Sequence, residues 1–302
     1  MTHYQLITQN KFRSGLIMIG FVLFVVVFTM IITFAFDLDS SAIGLALVSS
    51  GITSLASYWW SDKLILSISK AKPATRSDHF DFFTAVENIC LSLRTPMPKL
   101  YVIEDSAMNA FATGRSPDRS AICVTTGLLS RLNRAEIEGV ISHELAHIQN
   151  YDMLLMSLVT VLVGFISLIS DWLLRSAGFG FRKRTRDREN NQVQLIFLAI
   201  GFLLSLLSPL IAQLIKLALS RKREFLADST GVSYTKNPAG LASALEKIAQ
   251  DTETLEVANK ATAHLYIANP LKSTHQAVGF FAKMFMTHPP IWERIKSLRQ
   301  IS

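Results

Sequence analysis

His143 and His147 stand four residues apart in the string His143-Glu144-Leu145-Ala146-His147. Residues with that spacing share one face of a helix, so both imidazoles project to the same side. Two neutral imidazoles placed this way can hold one zinc ion, and Glu144 between them reaches a water on it. Glu144 is then the general base that takes the water proton. The chemistry implied is hydrolysis at a polarised carbonyl. Such a site uses three protein ligands and keeps one position open, so a third ligand must come from elsewhere in the chain.

The longer string H-E-x-x-H-x-x-G-x-x-H does not continue here, because positions 150 and 153 are Asn and Met. The stretch that follows is apolar apart from Asp171. Asp152 is near in sequence but lies over a turn beyond His147, where it reads as the end of a helix. Glu224 is better placed, in Arg223-Glu224-Phe225-Leu226-Ala227-Asp228, where polar sequence resumes. Glu224 and Asp228 share a helix face. Glu224 can ligate metal while Asp228 accepts the remaining N–H of a liganding imidazole. The alternative is that both carboxylates balance Arg221, Lys222 and Arg223. His288, ahead of Pro289-Pro290, can stabilise an oxyanion. Arg294 can do likewise, or pair with a carboxylate.

The elements that must position these residues sit in an unusually apolar chain. Of 302 residues, 50% are hydrophobic, and the mean hydropathy is +0.32. Residues 16–36 and 41–60 carry no charge, 153–174 carry only Asp171, and 193–220 carry only Lys216. A bilayer core needs about 20 apolar residues per helix, so all four runs are long enough to span. The first is longer than the core of a signal peptide and a second follows at once, so it reads as a retained anchor. The net charge of +7 is concentrated beside these runs, at Lys63, Lys70, Lys72 and Arg76 and again at Arg221–Arg223. Basic residues there suit an anionic lipid surface. Without aromatic residues interleaved among them they do not suggest nucleic acid.

Lys11 and Arg13 precede the first run, whereas Asp37 and Asp39 lie between the first two. The positive-inside rule therefore puts the N-terminus and the segment after Trp60 in the cytoplasm. The loop 175–192 is also strongly basic. Two further spans would carry it to the far side; a pair of helices that does not fully cross would not. Either way His147 and Glu224 emerge on the same side. Between the pairs, the pattern predicts a helix near 76–93 and strands at 100–104, 109–113 and 121–125. Asn133 with Glu136 reads as a capping box opening the helix of the two histidines. Further helices are expected over 238–250 and after Pro290, the latter with Ile291, Ile295 and Leu298 on one stripe. Cys90 and Cys123 lack metal-ligand spacing and read as buried thiols of a reducing compartment.

Taken in order, these motifs resemble the HtpX family of bacterial membrane zinc metalloproteases. The resemblance rests on His143–His147, then Glu224–Asp228 after a hydrophobic pair, then Phe285-Met286-Thr287-His288-Pro289-Pro290 with Arg294. It extends to Asn109-Ala110-Phe111-Ala112-Thr113-Gly114, Thr126-Gly127-Leu128-Leu129 and Asp152. It implies Glu224 as the third ligand and one zinc ion per chain. It also implies a substrate cleft bordered by Asn109, Ala110 and Phe111, where an extended peptide adds as a strand. The role implied is quality control, with membrane proteins as substrates. Prenyl-protein proteases share the core signature but have more than four spans.

The expected fold is a mainly α membrane protein with four hydrophobic helices and a cytoplasmic zincin-like domain containing a small β-sheet. Its expected divisions are a transmembrane hairpin (1–60), a protease region with the histidine helix (61–152), a second hydrophobic pair (153–220) and a protease region with the third ligand (221–302). The expected setting is the bacterial inner membrane, multi-pass, with a cytoplasmic active site and the lipid bilayer and membrane proteins as partners. Two rivals stand beside this reading. One is a narrow-specificity peptidase for a lipidated or membrane-anchored substrate. The other is a non-catalytic membrane adaptor, against which an intact Glu144 argues.

Overall fold

A computed structural model describes residues 3–35, 39–162, 164–166, 221–258, 262, 265–268 and 289–301. His288, Asp171, the basic loop 175–192 and the apolar run 193–220 lie outside the described residues.

Two long helices open the chain, α1 (His3–Ala35) and α2 (Ser41–Ile68). Within α1, Ile7–Ile31 has a mean hydropathy of 2.7 and is the one described helix long and apolar enough to cross a membrane alone. α2 packs along α1 and exposes Leu45, Leu47, Val48, Ile52 and Leu55. It does not stop at Trp60. Ile65 and Leu66 carry its apolar stripe into the folded core, so a division at 60/61 falls inside the helix.

A four-stranded sheet follows, in the order β1-β2-β4-β3, from β1 (Lys72–Pro73), β2 (Lys99–Ile103), β3 (Ala110–Ser116) and β4 (Arg119–Thr125). β3 and β4 form an antiparallel hairpin, and β2 runs parallel to β4. The three longer strands lie where the alternating sequence predicts. The short β1 and the parallel pairing were not legible, because two residues carry no periodicity and pairing is a long-range choice.

Alternate strand residues point to opposite faces, and here both faces are covered. Leu100, Val102, Ala110, Ala112, Ile122 and Val124 join one core with the helices described below. Ile103, Phe111, Ala121 and Cys123 join a second core with Ile65 and Leu66 of α2. The sheet is therefore wedged between the helices described below and the C-terminal end of α2.

Helix α3 (Phe80–Leu93) begins four residues later than the pattern predicts, since residues 75–78 form a turn in which Asp78 N donates to Thr75 Oγ1. After the short α4 (Thr126–Arg131) comes α5 (Arg134–Gln149), the histidine helix. Its N-terminus carries the expected capping box: Asn133 Oδ1 accepts from Glu136 N at 3.0 Å, and Glu136 Oε2 accepts from Asn133 N at 2.8 Å. α6 (Asp152–Ile166) leaves α5 at an angle of 82°. A division at 152/153 thus falls inside α6. Helices α7 (Arg221–Thr235), α8 (Pro238–Gln250) and α9 (Ile291–Arg299) complete the described elements. Cys90 and Cys123 are free and buried.

Candidate metal centre

α5 lies in the middle of the helical layer, with nearly every residue from Glu136 to Ile148 buried. An ordinary surface helix buries one stripe; this one is enclosed by the sheet, α3, α7 and α8. Glycines permit the closest approaches. A Cβ on Gly231 of α7 would lie 3.0 Å from the backbone N of His143, and one on Gly139 of α5 would lie 2.7 Å from the backbone N of Leu241 in α8. With α7 held this close, its buried face of Glu224, Ala227, Asp228 and Gly231 looks directly at the histidines.

Three side chains meet there. His143 Nε2 and His147 Nε2 are 3.2 Å apart. Glu224 Oε1 lies 3.4 Å from His147 Nε2, and Oε2 lies 3.7 Å from His143 Nε2. All three residues are buried. A tetrahedral site with ligand bonds of about 2.0–2.1 Å has edges of about 3.3 Å, so this triangle has the dimensions of three ligands around one ion.

The far nitrogen of each imidazole is held by a carboxylate. Asp228 Oδ1 lies 2.9 Å from His143 Nδ1, and Asp152 Oδ2 lies 3.1 Å from His147 Nδ1. Such partners orient the ring and present its other nitrogen as a ligand. Asp228 stands against His143, the placement that the sequence reading expects of it. Asp152 differs from the sequence reading: it does not merely finish the helix. Tyr151 has φ of +60° where the chain bends by 82°, and Asp152 faces His147 from the first turn of α6.

Arg294 is fully buried and pairs with a carboxylate, the second of the two roles open to it. Its Nη2 and Nε donate to Asp228 Oδ1 and Oδ2 at 2.6 and 2.9 Å. Its Nη1 stands 3.6 Å from Glu224 Oε2. Burial opposes ionisation of Asp228, but the Arg294 charge and the His143 hydrogen bond outweigh it and hold the carboxyl down at about 2.

The two imidazoles are electrostatically unequal. Burial, then the Arg294 charge, push His143 down to about 4, so it is neutral. Burial also opposes charge on His147, but hydrogen bonds to Asp152 and Glu224 outweigh it and lift its pKa well above the ordinary value. The surroundings of His147 and Glu224 therefore favour a positive charge between them, as either a proton or a metal cation would supply. By size and by charge the donor set fits a divalent metal.

Glu144, 3% exposed, opens with both histidines onto a small cavity also lined by Ala112, Met153, Met156, Leu265 and Ile267. β3 borders this cavity, but through Ala112. Of the three cleft residues read from the sequence, Asn109 is bonded through its side chain to Ala268, and Ala110 O accepts from Ile267 N at 2.9 Å. Phe111 points to the sheet's other face, edge-on to Tyr266 at 5.2 Å. Strand alternation is the reason: residues 110 and 112 share one face and Phe111 takes the other. The segment 265–268 carries no sequence signal that would have marked it for this place.

A sequence model described as peptidase family M48 matches residues 83–302. A protease HtpX homolog from Thermoanaerobacter pseudethanolicus is 40% identical over 301 residues, covering 100% of this chain and 98% of its own. Another, from Lactobacillus helveticus, is 42% identical over 307 residues and covers 99% of each chain. The crystal structure of S. mikatae Ste24p superposes with a TM-score of 0.46 at 19% identity, over 98% of this chain and 67% of that one. Kinship that runs from end to end places this protein in the HtpX family, among the membrane metalloproteases of peptidase family M48.

Proposed function

We propose that the protein is a zinc endopeptidase, integral to the bacterial inner membrane, that cuts misfolded or damaged membrane proteins from the cytoplasmic side. The observation that carries this reading is the triangle of His143, His147 and Glu224, with each imidazole backed by its own carboxylate. Two imidazoles and one carboxylate are a ligand set typical of hydrolytic zinc.

Bound there, zinc would supply Lewis acidity toward the scissile carbonyl and lower the pKa of a water. The remaining work belongs to the chain. Glu144 sits in the cavity beside both histidines, where it takes the water proton and returns it to the leaving amine. Ala110 already uses its outward carbonyl to bond Ile267. By the two-residue alternation of a strand, Ala112 presents the next outward backbone groups, and it lines the cavity. A substrate backbone added there as an extra strand would lie across Glu144. Asp228, Asp152 and Arg294 do not touch substrate; they hold the ligands. His288 remains a proposed oxyanion stabiliser.

The apolar faces of α1 and α2 support a spanning hairpin, with the second hydrophobic pair adding two spans. The charge around them supports a cytoplasmic site.

The test uses wild type, Glu144→Gln and Glu224→Ala, each purified in detergent. Zinc content is measured first, then hydrolysis of an unfolded membrane protein and of a panel of anchored and lipidated peptides. The expected result is about one zinc in wild type and Glu144→Gln, cutting by wild type alone, and poor zinc retention in Glu224→Ala. Loss of the base should lower turnover by about 10²–10⁴-fold. Cleavage confined to a single anchored peptide would replace quality control with dedicated processing. Zinc without any cleavage would favour an adaptor.

A further inference from the structure

The membrane helix α1 is apolar and largely uncovered, yet Asn10 within it is only 2% exposed. Its amide is fully engaged, and every partner belongs to the metal-centre region. Asn10 Nδ2 donates to Asp152 Oδ1 at 2.8 Å and to the backbone O of Asn150 at 2.9 Å. Asn10 Oδ1 accepts from Arg223 Nη1 at 3.2 Å. That guanidinium also reaches Asp152 Oδ1 at 3.4 Å and is the chain neighbour of Glu224. The next residue along α1, Lys11, places Nζ 4.3 Å from the centre of the Tyr151 ring.

Asn10 and Lys11 therefore grip Asn150, Tyr151 and Asp152, the joint between α5 and α6. This joint bends by 82° and holds Tyr151 in the left-handed region, which a non-glycine residue adopts only when its surroundings hold it there. It also carries Asp152, whose other oxygen orients His147. Asn10 lies ahead of the charge-free run 16–36, on the part of α1 that reaches past it, so its burial answers to these partners rather than to insertion.

We propose that Asn10 is a positioning residue of the metal centre, so that docking of the membrane helix α1 is a condition for His147 to hold its ligand geometry. Asn10 clamps Asp152 and the α5–α6 joint; Asp152 sets the His147 ring. The inference rests on the reading of His143, His147 and Glu224 as metal ligands.

The test uses the full-length protein in bilayer discs. Asn10→Leu removes all three hydrogen bonds at similar size, and Asn10→Asp keeps the shape while replacing the donor with an acceptor. Phe12→Ala, at a side chain 66% exposed on the same helix, serves as the control. Zinc retention against a competing chelator is read first, then kcat and KM, then the thermal midpoint. Both Asn10 variants should lose zinc about 10-fold more readily, with kcat falling while KM holds, and Phe12→Ala should match wild type. In an Asp152→Asn background, Asn10→Leu should weaken zinc retention by less than about 2-fold more, because the route to His147 is already cut. Wild-type zinc retention and kcat in both Asn10 variants would overturn the proposal. So would an undiminished effect of Asn10→Leu in the Asp152→Asn background, which would assign Asn10 to general stability; the cycle decides even if Asn10→Leu folds poorly. A wild type that binds no zinc would overturn the ligand assignment itself, a distinct result.

Discussion

Asp152 Oδ2 lies 3.1 Å from Nδ1 of His147, on the side of the ring opposite the nitrogen that faces Glu224. Asp228 stands in the same relation to His143 at 2.9 Å. Replacing either carboxylate with Asn keeps the size but weakens the orienting bond and the ring's basicity. Asp152→Asn and Asp228→Asn should each lower metal affinity by about 10–100-fold, measured by titration with a competing chelator. Activity at saturating zinc should recover in part, which Glu224→Ala should not allow.

Arg294 neutralises Asp228 and stands beside Glu224 with no exposed surface. Truncation to Met would leave a buried carboxylate without its charge partner. Breaking a buried pair from one side costs about 3–5 kcal/mol, so Arg294→Met should lower the thermal midpoint sharply. Arg294→Lys should rescue little, because one ammonium cannot reproduce the two bonds to Asp228. A midpoint unchanged in Arg294→Met would refute this account.

Gly231 sets the distance between α7 and α5. Its absent Cβ would meet the backbone N of His143 and the Ser142 side chain at 3.0 Å. Gly231→Ala should push α7 outward by a few tenths of an ångström and cost about 1–3 kcal/mol. Since α7 carries Glu224, zinc retention should fall along with stability. A variant with wild-type zinc affinity would show that the helices yield elsewhere.

Glu136 joins the cap of α5 to α8. It accepts from Ser243 Oγ at 2.6 Å and pairs with Lys247 Nζ at 2.7 Å, besides accepting from Asn133 N. Burial raises its pKa, but the bonds to Lys247, Ser243 and Asn133 outweigh that and leave it below the ordinary 4.5. A depressed carboxylate contributes stability that is complete above its unfolded-state pKa and is lost as pH falls through its folded value. Unfolding midpoints of wild type should therefore drop more steeply below pH 4.5 than those of Glu136→Gln, while at neutral pH the variant should be the less stable. Parallel pH curves for the two proteins would contradict this role.

What the sequence determined by itself is local. The i, i+4 spacing puts His143 and His147 on one face of α5, and puts Glu224 and Asp228 on one face of α7, whatever surrounds them. Asn133 and Glu136 close the capping box within a single turn, and the strand alternation of 100–104, 109–113 and 121–125 needs no partner to be read. The tertiary structure decided which faces meet. Gly231 lets α7 approach α5, so Glu224 becomes a neighbour of the histidines. A left-handed Tyr151 marks the 82° bend between α5 and α6, so Asp152 faces His147 when helical spacing alone would have turned it away. Arg294, Ile267 and Asn10 arrive from distant segments that no periodicity connects to the metal centre. Spacing along one helix is set by backbone geometry, whereas contacts between helices are set by close packing summed over many side chains, and that sum has no signature in any short stretch of sequence.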